Sequence, residues 1–239
     1  TQDGSGVESW LNTAIQHSVR REILLNGIDN TVLPKVIDKR ISNIPKDKLT
    51  ILFVGKLEKY KGCIEFVESI LMLLKKNLNN IHTLIIGTGS EESSLKKQIK
   101  NEFMLDKFTF IDRLPHDQIF AAHSISDIYV SINHFGNLSN ANLEAIQSND
   151  CMIVSKLQKD IDIVSKDFLK DAVVYVPIQD PVSLCSAIND FIVSNEKRTE
   201  MSNLINEIKQ DFLWSWKERI NLEINLIQEL VEVSSSKNK

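Results

Sequence analysis

The stretch Thr50-Ile51-Leu52-Phe53-Val54-Gly55-Lys56-Leu57-Glu58-Lys59-Tyr60-Lys61-Gly62 opens with five β-branched or apolar residues in a row. A strand with one wet face would alternate with polar residues, so this run predicts a strand covered on both faces. Beyond Gly62, the residues Ile64, Val67, Ile70, Leu71 and Leu74 recur at spacings of three and four. That is the period of a helix with one buried side. A doubly covered strand, a loop and an amphipathic helix form the first two parts of a βαβ unit, which commits the region to parallel pairing.

The same alternation continues along the chain. Further strand-length apolar runs occupy Thr83–Ile86, Phe108–Ile111, Ile128–Ile132, Met152–Val154 and Val173–Val176. Helical spacing lies between them, for example Leu95, Ile99 and Phe103 after the acidic start Glu91-Glu92. Parallel strands joined by right-handed helical crossovers predict an α/β fold, a doubly wound, Rossmann-like sheet over residues 46–195. Residues 1–45 hold a helix-like piece (Val7–Val19), a short apolar strand (Glu22–Leu25) and a polar connector, too little for a domain. Residues 196–239 form a helical C-terminal tail broken near Phe212-Leu213-Trp214-Ser215-Trp216 and fraying from Ser234.

Composition narrows the function classes. Only 8 glycines and 5 prolines occur in 239 residues, under half of an average share of about 12%, so loops should be short. The net charge of −4 is spread over interspersed acids and bases, which gives no footprint for nucleic acid or an anionic membrane. No apolar run reaches the ~18 residues of a membrane span. Cys63, Cys151 and Cys185 are odd in number, scattered and in apolar company, which suits reduced core thiols in the cytoplasm. The chain opens on Thr1 rather than Met, and we read it as a fragment.

In an open parallel sheet, ligands bind beyond the carboxyl ends of the strands. After the first strand, Gly55, Lys56 and Lys61 bracket a lysine-rich loop, either a phosphate cradle or a solvated loop. After the second, Gly87-Thr88-Gly89-Ser90 resembles half a dinucleotide fingerprint. It reads better as a tight turn with Ser90 as N-cap. Arg113 follows the third strand, where it faces a nucleotide or pairs with Asp112. After the fourth, Gly136-Asn137-Leu138-Ser139-Asn140 releases the chain into a helix whose unpaired N–H groups form an anion seat. Glu144 lies further along that helix, placed either to accept hydrogen bonds from a diol or to stand as an exposed carboxylate.

Taken in order, these pieces resemble a known family. Gly55-Lys56, Lys61-Gly62, Leu84-Ile85-Ile86-Gly87-Thr88-Gly89, Gly136 to Glu144-Ala145, Asp180-Pro181 and Ser215-Trp216 are similar to retaining nucleotide-sugar glycosyltransferases of the two-domain GT-B fold, family 4-like. Asn26-Gly27-Ile28-Asp29 matches the motif at that family's hand-over from acceptor domain to donor domain. The resemblance covers almost the whole chain and implies the C-terminal, donor-binding half of a GT-B enzyme.

The resemblance also implies roles. Lys56 and Lys61 would contact the donor diphosphate, with the backbone of Leu138 to Asn140. Glu144 would hold the ribose as the second glutamate of E-x7-E, and Arg113 would lie near the base. The family works without a metal or other cofactor on a UDP- or GDP-sugar, since lysines and a helix terminus stabilise the leaving diphosphate. Where the first glutamate of that motif belongs, this chain has Gly136, and His134 or Asn137 is the group at hand to stand in. The family's Gly and Pro after the helix appear as Asn149 and Cys151.

A rival reading is a non-catalytic Rossmann-like binding or assembly module with a degenerate site. A third, an epimerase of the same architecture, needs acids and histidines in a cleft that the sequence does not locate. His17, His82, His116 and His123 lack ligand spacing with any acid or cysteine and read as surface or core groups. Trp214 and Trp216 read as packing residues. The apolar side of Trp216 to Val233 would lie on the Val7–Leu25 segment, on a missing N-terminal domain or on a second copy of the chain.

Overall fold

The computed structural model describes residues 13–14, 24–29, 33–136, 138–156 and 168–237. The six apolar runs become strands β1 (Leu49–Val54), β2 (Ile81–Ile86), β3 (Phe108–Ile111), β4 (Ile128–Ser131), β5 (Met152–Lys156) and β6 (Val174–Pro177). They form one sheet in the order β3-β2-β1-β4-β5-β6, with every neighbouring pair parallel. The winding starts at β1, runs outward to β3, and resumes on the other side at β4. The carboxyl ends of β1 and β4 therefore flank the switch point of a doubly wound sheet, where the crevice of such folds opens.

The helices are α1 (Lys39–Ser42), α2 (Cys63–Lys75), α3 (Glu92–Asn101), α4 (His116–Ser124), α5 (Asn140–Gln147), α6 (Pro181–Val193), α7 (Asn195–Ile208) and α8 (Trp216–Lys237). Side chains alternate across each strand. Ile51, Phe53, Ile128, Val130 and Ile153 join α2, α3 and α6 on one face, with Phe66, Ile70, Leu95, Ile99, Leu184 and Phe191. Leu52, Tyr129, Met152 and Val154 join α4, α5 and α7 on the other, with Phe120, Leu143, Ile146 and Ile205. Both faces are dry, which explains continuous rather than alternating apolar runs.

Residues 25–29 meet the start of the tail. Ile28 N donates to the Trp214 carbonyl at 2.8 Å, Trp216 N donates to Asp29 Oδ1 at 3.0 Å, and Arg219 Nε donates to the Leu25 carbonyl at 2.8 Å. Leu25 and Ile28 are buried in the same core face as Ile205 and Phe212. Asp180 caps α6 by accepting from Ser183 N at 2.9 Å, ahead of Pro181 in the first turn.

Several local expectations are corrected. Ser90 does not cap α3: its N–H and hydroxyl donate to Glu58 at 3.0 and 2.6 Å, because Glu58 reaches across between two loops. Glu91 holds the cap position with no side-chain bond. Phe103 leaves the helical series, since α3 stops at Asn101 and the chain turns at Phe103 with φ 58, leaving that ring 93% exposed. The tail stays helical through Lys237 rather than fraying from Ser234, as propagation adds one hydrogen bond for each residue fixed. Leu24 and Leu25 are not strand, and the rest of Glu22–Leu25 lies outside the described residues, as does Val7–Val19 apart from Thr13 and Ala14. The three cysteines are free and buried. No described helix is long and apolar enough to cross a membrane.

Candidate functional site

Beyond β1, the chain turns at Gly55, passes through a short 3-10 turn at Lys59–Lys61 and enters α2 at Gly62. Gly62 has φ +77, and a Cβ there would lie 2.4 Å from the Ile132 carbonyl oxygen. Only glycine allows this close approach of the lysine loop to the segment after β4. His134 N donates to the Tyr60 carbonyl at 2.8 Å, fastening the two segments. On its other side the loop is fixed by Leu57 N to the Thr88 carbonyl at 2.9 Å and by Glu58 on Ser90. The Ser90 hydrogen bonds, with Lys56 nearby, hold the Glu58 carboxyl below its usual value.

Across the switch point, α5 begins after Ser139, whose hydroxyl accepts from Asn142 N. Asn140 and Ala141, in the first turn, have N–H groups with no partner inside the helix, and the positive dipole end lies there. Asn26 Nδ2 donates to Asn140 Oδ1 at 2.7 Å, so the entering segment reaches this same corner.

A cleft of about 370 Å³ lies between these walls, lined by Gly55, Lys56, Tyr60 and Lys61 on one side and Asn133, Ser139, Asn140 and Ala141 on the other. Five of the expected residues thus meet: Gly55, Lys56, Lys61, Ser139 and Asn140. Lys56 is exposed, and the Lys61 ammonium lies 5.5 Å from the Tyr60 ring centre. The other expected residues are dispersed. The Leu138 side chain is in the core, and the residue is outside the cleft lining. Arg113 is exposed in the loop after β3, its carbonyl oxygen 3.5 Å from the Arg40 guanidinium. Asn137 lies outside the described residues. Glu144 is buried one turn into α5, outside the cleft lining.

Glu144 has a partner that spacing along the chain does not reveal. His116 Nε2 lies 3.0 Å from its Oε1. Behind it, His123 Nδ1 and Asp150 Oδ2 approach to 2.6 Å in full burial. Burial raises the Glu144 carboxyl above its usual value, against the opposing pull of His123 and His116. His116 remains a surface group, as its spacing suggested, but folding brings α4 beside α5 and gives it an acid partner.

At the motif's first position, Gly136 has φ +61, a left-handed conformation that a glutamate would adopt only under strain. Of the two groups at hand to stand in, His134 has its Nε2 at 2.9 Å from Glu65 Oε1, with both side chains mostly buried. Asn149, in the place of the family's glycine, takes the same left-handed turn at φ 61, which asparagine tolerates better than most residues. Tyr60 and Asn133 line the cleft without having been named as site residues, and Asn26 reaches its corner only through Asn140. Asn133 follows the end of a central strand, a place where a ligand residue is to be sought, whereas Asn26 enters from a distant segment.

The family model described as glycosyl transferases group 1 matches residues 35–207. The chain belongs to that family. An uncharacterized glycosyltransferase of Methanocaldococcus jannaschii is 24% identical, the match covering 91% of this chain and 58% of that protein. Among solved structures, the pneumococcal O-GlcNAc transferase GtfA, in complex with UDP and GlcNAc, aligns with TM-score 0.70 at 17% identity over 94% of this chain and 43% of its own. The C-terminal domain of a glycosyl transferase group 1 family protein (LpcC) from Francisella tularensis aligns with TM-score 0.60 at 19% identity, over 75% of this group 1 chain and 93% of that domain. The doubly wound sheet and helical tail are thus those of GT-B glycosyltransferases, and this chain spans less than two thirds of the curated relative.

Proposed function

We propose that this group 1 chain is the donor-binding, C-terminal domain of a retaining glycosyltransferase, family 4-like and of hexosyltransferase type. It would hold a nucleoside-diphosphate sugar such as a UDP- or GDP-sugar at the switch between β1 and β4. The observation that carries the reading is the cleft that gathers Lys56, Lys61 and the first turn of α5 around one space. Two ammonium groups and a helix N-terminus suit a diphosphate, whose charge grows as the sugar bond breaks. In this reading that charge is met without a divalent ion, and departure of the diphosphate from the face that the acceptor attacks retains the anomeric configuration.

Glu144, one turn deeper, would accept the ribose hydroxyls, with Arg113 beside the base and the backbone of Leu138 to Asn140 at the diphosphate. Asn137 belongs to the same proposed set. The match to nearly all of an isolated C-terminal domain supports the assignment. The acceptor site would lie on an N-terminal domain or a second copy of the chain, so this chain alone would transfer no sugar. Trp216, Ile220, Ile224, Ile227 and Leu230 stand exposed along α8, a row that such a partner would cover. A cytoplasmic location belongs to the same proposed reading.

Gly136 favours a second reading, a binding module that keeps the fold without the reaction, since the glutamate position has no side chain. Calorimetric titration of the chain with UDP, GDP and ADP, with and without a chelator, separates the two. The donor reading expects micromolar to low-millimolar binding of one nucleotide, indifferent to chelation and lost in both Lys61→Ala and Glu144→Ala. No binding of any of the three turns the assignment to the module.

A further inference from the structure

His116 is the first residue of α4, and its ring packs edge-on against Phe120 one turn later, with centroids 5.2 Å apart. That contact fixes the imidazole, and its Nε2 meets Glu144 Oε1 at 3.0 Å. The two partners differ in exposure: 58% of the His116 side chain is open to solvent against 12% of Glu144. An exposed pair contributes little, but here one member is a carboxylate withdrawn from water, for which a donated hydrogen bond matters more. Among the described residues no other hydrogen bond to the carboxylate is made. The start of α4 also directs its positive end toward this corner.

We propose that His116 is a positioning residue for Glu144, holding the carboxylate ionised and aimed so that it accepts the ribose hydroxyls of a bound nucleotide. The inference rests on the donor-site reading and assigns to it a residue that the family motif does not contain. The titratable groups facing Glu144 are His116 and His123 from α4, Tyr129 from β4 and Asp150 after α5. Tyr129 is kept neutral by burial, its pKa pushed up. His123 is tied to Asp150. His116 is thus the member of the set that a surface substitution removes without opening the core.

Glu144 must be ionised to accept two hydroxyls, so nucleotide affinity falls on the acid side. Removing His116 removes one of the influences that lower the Glu144 pKa, so the acid limb of the profile moves to higher pH. The test measures dissociation constants of UDP, GDP and ADP, and of their 2′,3′-dideoxy forms, from pH 4.5 to 8. The proteins are wild type, His116→Ala, His116→Gln and Glu144→Gln, each checked for folding by circular dichroism. His116→Ala should bind the ribose form roughly three- to tenfold more weakly at neutral pH, the scale of one hydrogen bond. Its acid limb should lie toward neutral, with His116→Gln partly restored through its amide donor. The dideoxy forms should not distinguish the variants. An unmoved acid limb, or an equal loss with the dideoxy forms, overturns the positioning role while Glu144→Gln still weakens binding. If wild type binds none of the three, or Glu144→Gln binds as wild type does, the donor-site reading fails and this inference with it.

Discussion

Burial on α5 raises the Glu144 carboxyl, and the two histidines only partly offset it. A carboxyl whose folded pKa exceeds its unfolded one contributes its full stability below the unfolded value and loses it as pH rises through the folded value. At neutral pH the ionised Glu144 therefore costs stability in exchange for a charged acceptor. Glu144→Gln should melt at or above the wild-type temperature at pH 7, the gap closing toward pH 4, while nucleotide binding falls. Thermal unfolding at several pH values checks this, and a Tm lowered by the substitution at pH 7 would contradict it. Asp150 carries the same sign, its carboxyl raised by full burial despite His123. At this scale the sequence was legible in part. Lys56, Lys61, Ser139 and Asn140 could be placed because each follows a recognisable strand end. The His116–Glu144 contact was hidden because 28 residues and two crossovers separate the pair, and no local period encodes it.

The strands were the most legible elements. A parallel strand covered on both faces must be apolar throughout, and no other element of that length needs such a run. Element ends were less so, because a cap is decided by whichever group reaches it first. Ser90 shows this, diverted to Glu58 by a loop 32 residues earlier. Ser139 did remain with its helix, accepting from Asn142 N while its hydroxyl donates to Asn142 Oδ1 at 3.1 Å. Tyr129 also donates to that amide oxygen at 3.2 Å, so the start of α5 is tied to β4. Ser139→Ala should cost about 1 kcal/mol of stability, the usual worth of an N-cap. It should also weaken nucleotide binding by loosening the first turn, without abolishing it. Chemical denaturation and titration on one preparation report both, and unchanged values in the two would remove Ser139 from the site.

For the molecule as a whole, the alternation of strand and helix sufficed to give the winding of the sheet. Alternation alone could not show that residues 25–29 and the tail meet, because that contact joins residues nearly two hundred positions apart, as in Trp216 N to Asp29 Oδ1; only the family resemblance offers this part of the chain among the surfaces for the tail. The row along α8 follows from this arrangement: its first turns are occupied by Leu25 through Arg219, while Ile224 at 45% and Ile227 at 59% exposure remain open. An apolar stripe of this kind drives association. Sedimentation of the isolated chain should show mass rising with concentration, and Ile224→Lys with Ile227→Lys should abolish the rise. A wild-type chain that stays monomeric at high concentration would show the stripe to be harmless in water.

The backbone enters its α/β body and leaves it at the same spot, where Leu25, Ile28 and Asp29 hold Trp214, Trp216 and Arg219. Three hydrogen bonds and the burial of Leu25 and Ile28 hold that spot, so the entering segment and the start of α8 are coupled to each other through it.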